Sequence, residues 1–469
     1  MPTASSLLPQ VQAQADGGHA EDAWEVTFEP ELENFERNHV WDLVEPPSNC
    51  RPVGTKSVFK YKWGENGMVV RNKARLVALG FYQKGGIDYD ETFSPIARFE
   101  AIRILLAFAA SKGFKLQQMD VKSAFLNGVI EEEVYVRQPP GFESAKFPYR
   151  MFKLRKALYG LKQAPRAWYA RLKSFLLKSG FVMSLGGDTR EFEMSLMGEL
   201  QFFLGLQIKQ CPDGTFVHQA KYTRHILKKF AMDNSKPMAT PMDIKTMLDE
   251  DEEGEAVDQR RRRLDRTFSL RSASPRTSYL RVVKRILKYL KHTPELGLWF
   301  SSGSSLSMRG FPDASYVGCR VDRKSTSGTC QFLGTSLISW SSHNVSLSTT
   351  EFEYIAVASC CSQLLWMKAT LSDYGLRFGR IPLLVDSTSA ISVAKNPILK
   401  HIDVRFHFLR DHYEKGDIDL IHLVTQNQLA DIFTKPLDFG AFARLRGELL
   451  SQETSEQYPC MQHNASREV

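Results

Sequence analysis

Cysteine is scarce and scattered in this chain: seven in 469 residues, an odd number, with no Cys-x-x-Cys pair. That spacing excludes a zinc finger or zinc knuckle, and it fits a reduced intracellular setting better than a disulfide framework. Long apolar runs are missing too. The longest lies around ILLAFAA (Ile104–Ala110), far short of the ~20 residues that a membrane span takes. The opening residues, MPTASSLLPQVQAQADGG, have neither the basic start nor the apolar centre of a secretory signal. The expectation is a soluble intracellular protein of the cytoplasm or nucleus. Neither sign of charge dominates, with 61 Lys and Arg against 53 Asp and Glu, a net +8. So small an excess suits an anionic partner without establishing one. What is present is an ordinary globular balance, 43% hydrophobic and 24% charged, in a chain long enough for two or three domains.

Residues 1–21 are rich in Ala, Gln, Ser and Gly and are expected to be disordered. EDAWEVTFEPELENFERNHVWDLVEPP reads as helical up to its Pro-Pro stop. SVFKYKW and MVVRNKARLVALG, joined through GENG, read as a hairpin. FEAIRILLAFAASKG reads as a helix closed by Gly113, and RKALYGLKQAPRAWYARLKSFLLKSG as helical on either side of Pro165. Residues 249–266 are an acidic run followed by a basic one, the best linker in the chain; its four arginines read either as a nuclear address or as a solvated run. SYLRVVKRILKYLKH is an amphipathic helix, with Leu280, Val283, Leu287 and Leu290 on one stripe and Arg281, Lys284, Arg285, Lys288 and Lys291 opposite. Beyond it, LSMRGFPDASY, SGTCQFLG and SLISWSS read as three strands of a meander. The long helix STTEFEYIAVASCCSQLLWMKATL comes next, then strand IPLLVD, helical TSAISVAK, a further helical stretch, strand DLIHLV and a closing helix from NQLADIFTK. Together these make a mixed sheet with helices packed on it.

Acidic residues recur at the ends of those elements. Asp313 ends or follows the first strand, Asp386 ends IPLLVD, and Asp431 opens the closing helix. Glu351 and Glu353 lie two apart on the long helix, so only one can join a common site. One strand-end aspartate is most often a turn or cap residue. Four acids at the strand ends and helix starts of one sheet point instead to an oxygen-rich cation site, which suits Mg²⁺ or Mn²⁺ rather than zinc. In the first half, Asp120 in LQQMDVKSAFLNG stands where a metal ligand would, but two-metal phosphoryl transfer needs at least two such carboxylates. Basic and aromatic residues interleave in LKQAPRAWYARLKSFLLK. Arg166 and Trp168, with Lys284, Arg285 and Lys288 of the later helix, therefore read as nucleic-acid contacts or as solvated surface.

DRKSTSGTCQFLG, LSTTEFEYIA, SQLLWMK, KHIDVRFHFLRDH and NQLADIFTKPLD resemble the ribonuclease H domain of copia-type retrotransposon polyproteins. The resemblance implies that Asp313, Glu353, Asp386 and Asp431 hold two divalent metals (Mg²⁺ or Mn²⁺) and cut the RNA strand of an RNA–DNA hybrid, told from DNA by its 2′-hydroxyls. His401 and His407 read as structural, or one of them as a proton shuttle. NKARLVALGFYQKGGIDYDETFSPIARFEAIRILLAFAA, QMDVKSAFLNGVIEEEVYVRQPPGF and LYGLKQAPRAWY resemble the reverse transcriptase portion of the same family. This second resemblance implies an α+β to α/β chain with a fingers–palm polymerase domain over 22–245, a linker over 246–277, a connection helix and ribonuclease H-like domain over 278–447, and a tail over 448–469. It also implies Asp120 as a metal ligand, Lys73 and Arg75 on the triphosphate of an incoming nucleotide, Gln163 beneath that nucleotide, and Phe125 as the bulky residue that excludes a ribose 2′-hydroxyl.

One departure matters. The family's Tyr-x-Asp-Asp hairpin belongs between LYGLKQAPRAWY and EFEMSLMGEL, where this chain has only SGFVMSLGGDTR, and no Asp-Asp dipeptide occurs anywhere. This reads as an internal deletion near 183–191 that leaves Asp120 without partners. The expectation is a retrotransposon-derived protein whose partners are primer-template and RNA–DNA hybrid, with hybrid cleavage kept and use of deoxynucleotides lost. The alternative is a catalytically dead nucleic-acid-binding remnant.

Overall fold

The computed structural model of the chain describes residues 31–48, 51–63, 69–93, 97–178, 192–243, 277–315, 325–345, 349–395 and 404–452. Segment 1–21, the junction near 183–191, nearly all of the linker 246–277 and most of the tail lie outside them, as do His401 and the side chains of Glu351 and His407. The chain divides into two compact units, each made of two stretches of sequence: Met1–Ile96 with Asp120–Ser195, and Ala97–Met119 with Leu196–Val469.

In the first unit, strands Thr55–Trp63 and Val69–Ala78 form the expected hairpin, with Val58 opposite Arg75 and Lys60 opposite Lys73. Residues opposite one another share a face, so Lys60, Lys73 and Arg75 line one side. Ala74, Leu76 and Ala78 alternate onto the other and are buried, in a core with Phe35, Leu126, Val136 and Leu158. Two expected helices are corrected. Trp41–Val44 is a strand, paired antiparallel with Met151–Leu154: the backbone turns at His39 (φ 50°), and the Trp41 ring stacks 4.2 Å from Phe152. The helix around Pro165 spans only Ala164–Lys178. Pro165 sits in its first turn, where its missing N–H costs nothing. Gly160 (φ +94°) breaks the chain before it, and a Cβ there would strike the Ala78 carbonyl oxygen at 2.1 Å.

The second unit holds two five-stranded sheets. One runs in the order Ser336–Val345, Ser325–Leu333, Met308–Ser315, Ile381–Val385, Ile418–His422. Its first three strands are the expected antiparallel meander, and the last two lie parallel to Met308–Ser315 and to each other. The other runs Ser451–Gln452, Leu296–Ser301, Gly214–His218, Leu206–Cys211, Phe202–Phe203. Helix Phe99–Ser111, ended by Gly113 as expected (φ +68°), lends Ile102, Ile104, Leu106, Ala107 and Ala110 to a core shared with Phe300, Phe332 and Ile338. Its Arg103 donates to the Ile338 carbonyl at 2.6 Å and lies 4.0 Å over the Trp340 ring. The amphipathic helix Thr277–His292 packs Val283 and Leu287 on Ile226 and Leu227 of helix Ala220–Lys229.

A third correction concerns NQLADIFTK, which forms two short 3-10 turns, Thr425–Asn427 and Leu429–Phe433. The closing helix is Phe439–Leu449, capped by the Asp438 carboxylate accepting from Ala441 N at 3.0 Å. The long helix Thr349–Asp373 packs tightly on the sheet at Gly310, where a Cβ would lie 2.6 Å from Cys360 Sγ and 2.7 Å from Leu364 Cδ1. Both neighbours are fully buried. Gly310→Val is therefore expected to destabilise the unit by about 2–3 kcal/mol through overpacking, read as a lower denaturation midpoint with unchanged denaturant dependence.

Candidate active site

Separate elements of the second unit deliver the acids to one place. Asp313 lies on strand Met308–Ser315 and is 2% exposed. Asp386 directly follows Ile381–Val385, which pairs with that strand through Gly310 and Leu383. Asp431 comes from the turn Leu429–Phe433. One carboxylate oxygen from each of the three lies within 4.8 Å of the others. Glu353, in the opening turns of helix Thr349–Asp373, feels the charge of all three.

The turn is held by residues that the motif reading passed over. Gln428, fully buried, donates from Nε2 to the Pro312 carbonyl at 2.8 Å and reaches the Leu384 carbonyl at 3.4 Å and Asp386 Oδ1 at 3.5 Å. Its Oε1 accepts from Ala430 N at 3.3 Å. One side chain thus ties the turn to both acid-bearing strands. The Thr434 hydroxyl donates to Asp313 Oδ2 and sits 3.2 Å from the Asp431 carbonyl. Gly328, opposite Asp313 in the sheet, leaves room for this packing: a Cβ there would lie 2.6 Å from Thr434 Cγ2 and 3.2 Å from the Ala430 carbonyl oxygen. Lys435 Nζ stands 2.8 Å from Asp431 Oδ1 and 3.9 Å from Asp313 Oδ2.

Acids packed this closely cannot all ionise at ordinary pH. Burial, reinforced by Asp313 and Asp386, pushes the Glu353 carboxyl up to about 8. Burial raises Asp431 to about 6, with Lys435 pulling down and Asp313 and Asp386 pushing up. Asp313 is raised by burial as well, against the Thr434 hydrogen bond and the Lys435 charge. The site demands positive charge. Its donors are all carboxylate oxygens, and the buried Asp431 Oδ1 is paired with the Lys435 ammonium. A hard divalent cation fits such a donor set.

The polymerase-type residues of the first unit are placed differently. Asp120, exposed on strand Gln117–Val121, lines a cleft of about 790 Å³ with Lys73, Arg75 and Tyr159. Among the described residues it joins no group of three metal-ligating side chains. Phe125 packs its ring 5.1 Å from Tyr159, against the core. Gln163 is fully buried away from the cleft lining, donating to the Asp88 carbonyl at 3.2 Å and accepting from Gln83 Nε2 at 3.1 Å. Arg166 pairs with Glu132, and Trp168 lies edge-on to Phe192 at 5.2 Å, both half-buried. On the amphipathic helix Lys284 is exposed and Lys288 half-buried, whereas Arg285 is spent on Thr240 and Asp243.

A mixed sheet carrying its acids at adjoining strand ends defines a ribonuclease H-like unit, and residues 38–186 match the family described as Reverse transcriptase (RNA-dependent DNA polymerase). Across 92% of its length the chain is 34% identical to the Retrovirus-related Pol polyprotein from transposon RE1 of Arabidopsis thaliana. Across 88% it is 33% identical to that from transposon TNT 1-94 of Nicotiana tabacum. The chain belongs to the Pol polyproteins of copia-type retrotransposons, as a reverse transcriptase/ribonuclease H-like member. It spans about a third of those relatives, 34% and 37% of their lengths. Among solved structures it is similar to the foamy viral protease-reverse transcriptase in complex with RNA/DNA hybrid, at 12% identity and a TM-score of 0.47, covering 92% of this chain and 57% of that one.

Proposed function

We propose that the second unit cleaves the RNA strand of an RNA–DNA hybrid in a Mg²⁺-dependent reaction, in a chain that no longer polymerises deoxynucleotides. The observation that carries the reading is the convergence of Asp313, Asp386 and Asp431 within 4.8 Å, near enough to Glu353 for their charges to raise its carboxyl. These four would hold the metal, which supplies an activated water and charge stabilisation at the phosphate. The protein's own part is placement. Gln428 and Thr434 hold the Asp431 turn on the two acid-bearing strands, and the sheet keeps Asp313 out of water. Lys284, exposed on the amphipathic helix, is available for phosphates of the bound duplex. Loss of polymerisation rests on the missing Asp-Asp dipeptide and on Asp120, which joins no group of three metal-ligating side chains among the described residues.

The expected result with the full chain in Mg²⁺ is cleavage of labelled RNA annealed to DNA, no cleavage of the same RNA alone, and no extension of a DNA primer on either template. Chelation should abolish the cleavage. Primer extension would overturn the second half of the reading, and an intact hybrid with folded, metal-bound protein would overturn the first.

A further inference from the structure

Lys435 reaches into the acid cluster. Its ammonium is 2.8 Å from Asp431 Oδ1 and 3.9 Å from Asp313 Oδ2, and it faces carboxylates delivered by two strands and a turn. The Asp431 oxygen beside it is buried and meets this ammonium as an ion pair. The lysine backbone is fixed, its N–H donating to the Asp431 carbonyl at 3.2 Å. Its side chain is 33% exposed while that of Asp313 is 3% exposed, so the lysine has a route outward that Asp313 lacks.

We propose that Lys435 is a resident counter-ion of the acid cluster and that a divalent metal enters by displacing its ammonium, so this one side chain sets how tightly the site takes metal. The inference rests on reading the cluster as a metal site. A single positive charge cannot balance several carboxylates, whereas a divalent ion does so while contacting more oxygens. Metal and ammonium compete for the same buried oxygen of Asp431. Lys435 would therefore hold the metal-free fold together at the expense of metal affinity.

The test is calorimetric titration of Mn²⁺ into metal-free full-length protein without nucleic acid. Lys435→Met, which keeps length and removes charge, is expected to bind roughly tenfold more tightly, and Lys435→Arg to stay within about twofold of the parent. Unchanged or weaker binding by Lys435→Met would overturn the inference. An Asp386→Asn control separates the two layers: binding that this control abolishes but Lys435→Met does not alter leaves the metal site standing and removes the competition. Absence of binding in parent and Lys435→Met alike removes both. A measurement on the unmodified chain guards against a variant that fails to fold. Reductive methylation followed by mass spectrometry should show Lys435 becoming more reactive when Mg²⁺ is added, relative to the exposed Lys284. An unchanged rate would count against displacement.

Discussion

An Asp386→Asn chain should cleave the hybrid at no more than about one-thousandth of the parent rate and yet unfold at a higher temperature in metal-free buffer at pH 8. The loss arises because the acids act as a unit, and removing one member of such a unit commonly costs 10³-fold or more. The gain arises because Asp386 is one of three carboxylates whose oxygens lie within 4.8 Å, and its charge raises both Glu353 and Asp431. Neutralising it relieves repulsion worth about 1–2 kcal/mol after solvent screening. The amide keeps an oxygen for the Gln428 contact at 3.5 Å, so the turn remains in place. Hybrid-cleavage kinetics and thermal unfolding in chelator, on one preparation, check both halves. An Asp386→Asn chain that is both inactive and less stable would mean that the residue serves the fold rather than a charge-strained site.

The second large effect is a pH dependence of stability opposite to ordinary acid denaturation. Glu353 at about 8 and Asp431 at about 6 lie above their ordinary values of 4.5 and 3.8. The folded protein therefore binds more protons than the unfolded chain between those limits. Stability from these groups is fully present below pH ~4 and is lost as pH rises through 6 and then 8. In chelator, the free energy of unfolding should fall between pH 5 and pH 8.5 by an amount on the order of 2–3 kcal/mol, discounted for the solvent-facing part of both side chains, and the midpoint of thermal unfolding should fall with it. Mg²⁺ should restore more at pH 8.5 than at pH 5, since it replaces the protons the site has given up. Glu353→Gln should flatten the slope above pH ~6.5. A parent profile that rises towards pH 8.5 in chelator, or a Glu353→Gln profile as steep as the parent's, would show that the acids do not raise one another in solution as their burial and proximity require.

Much of the second unit is readable in the sequence because alternation and turn residues mark the meander, and because Asp313, Asp386 and Asp431 sit inside long specific motifs. Glu353 lies in such a motif too, and helical geometry admits only one of it and Glu351. Local pattern fails where distant neighbours decide. Trp41–Val44 reads as the end of a helix until Met151–Leu154 arrives to pair with it. The residues before Ala164 read as helix until Gly160 is seen pressed against the Ala78 carbonyl. Gln428, Thr434 and Lys435 lie in the very motif that reveals Asp431, but a lysine four residues after an aspartate looks like a solvated pair unless the strand bearing Asp313 is known to lie beneath. Gln163 looks like a nucleotide contact, and its burial on Gln83 and Asp88 depends on chain about 80 residues away.

Helix Phe99–Ser111 belongs by sequence to the reverse transcriptase half and by packing to the core of the ribonuclease H-like unit, with Arg103 bonded to a carbonyl 235 residues downstream. Strand Leu296–Ser301 of the same unit pairs with Ser451–Gln452 near the end of the chain. During synthesis the helix meets Ile208 and Val217 about a hundred residues later, but Phe332 and Ile338 of the same core only after more than two hundred further residues have left the ribosome. The ribonuclease H-like unit cannot be completed domain by domain as the chain emerges. Its assembly is a late, long-loop event of high contact order, slow by nature and exposed to aggregation while it waits. A fragment beginning after residue 119 would lack this helix and its share of that core.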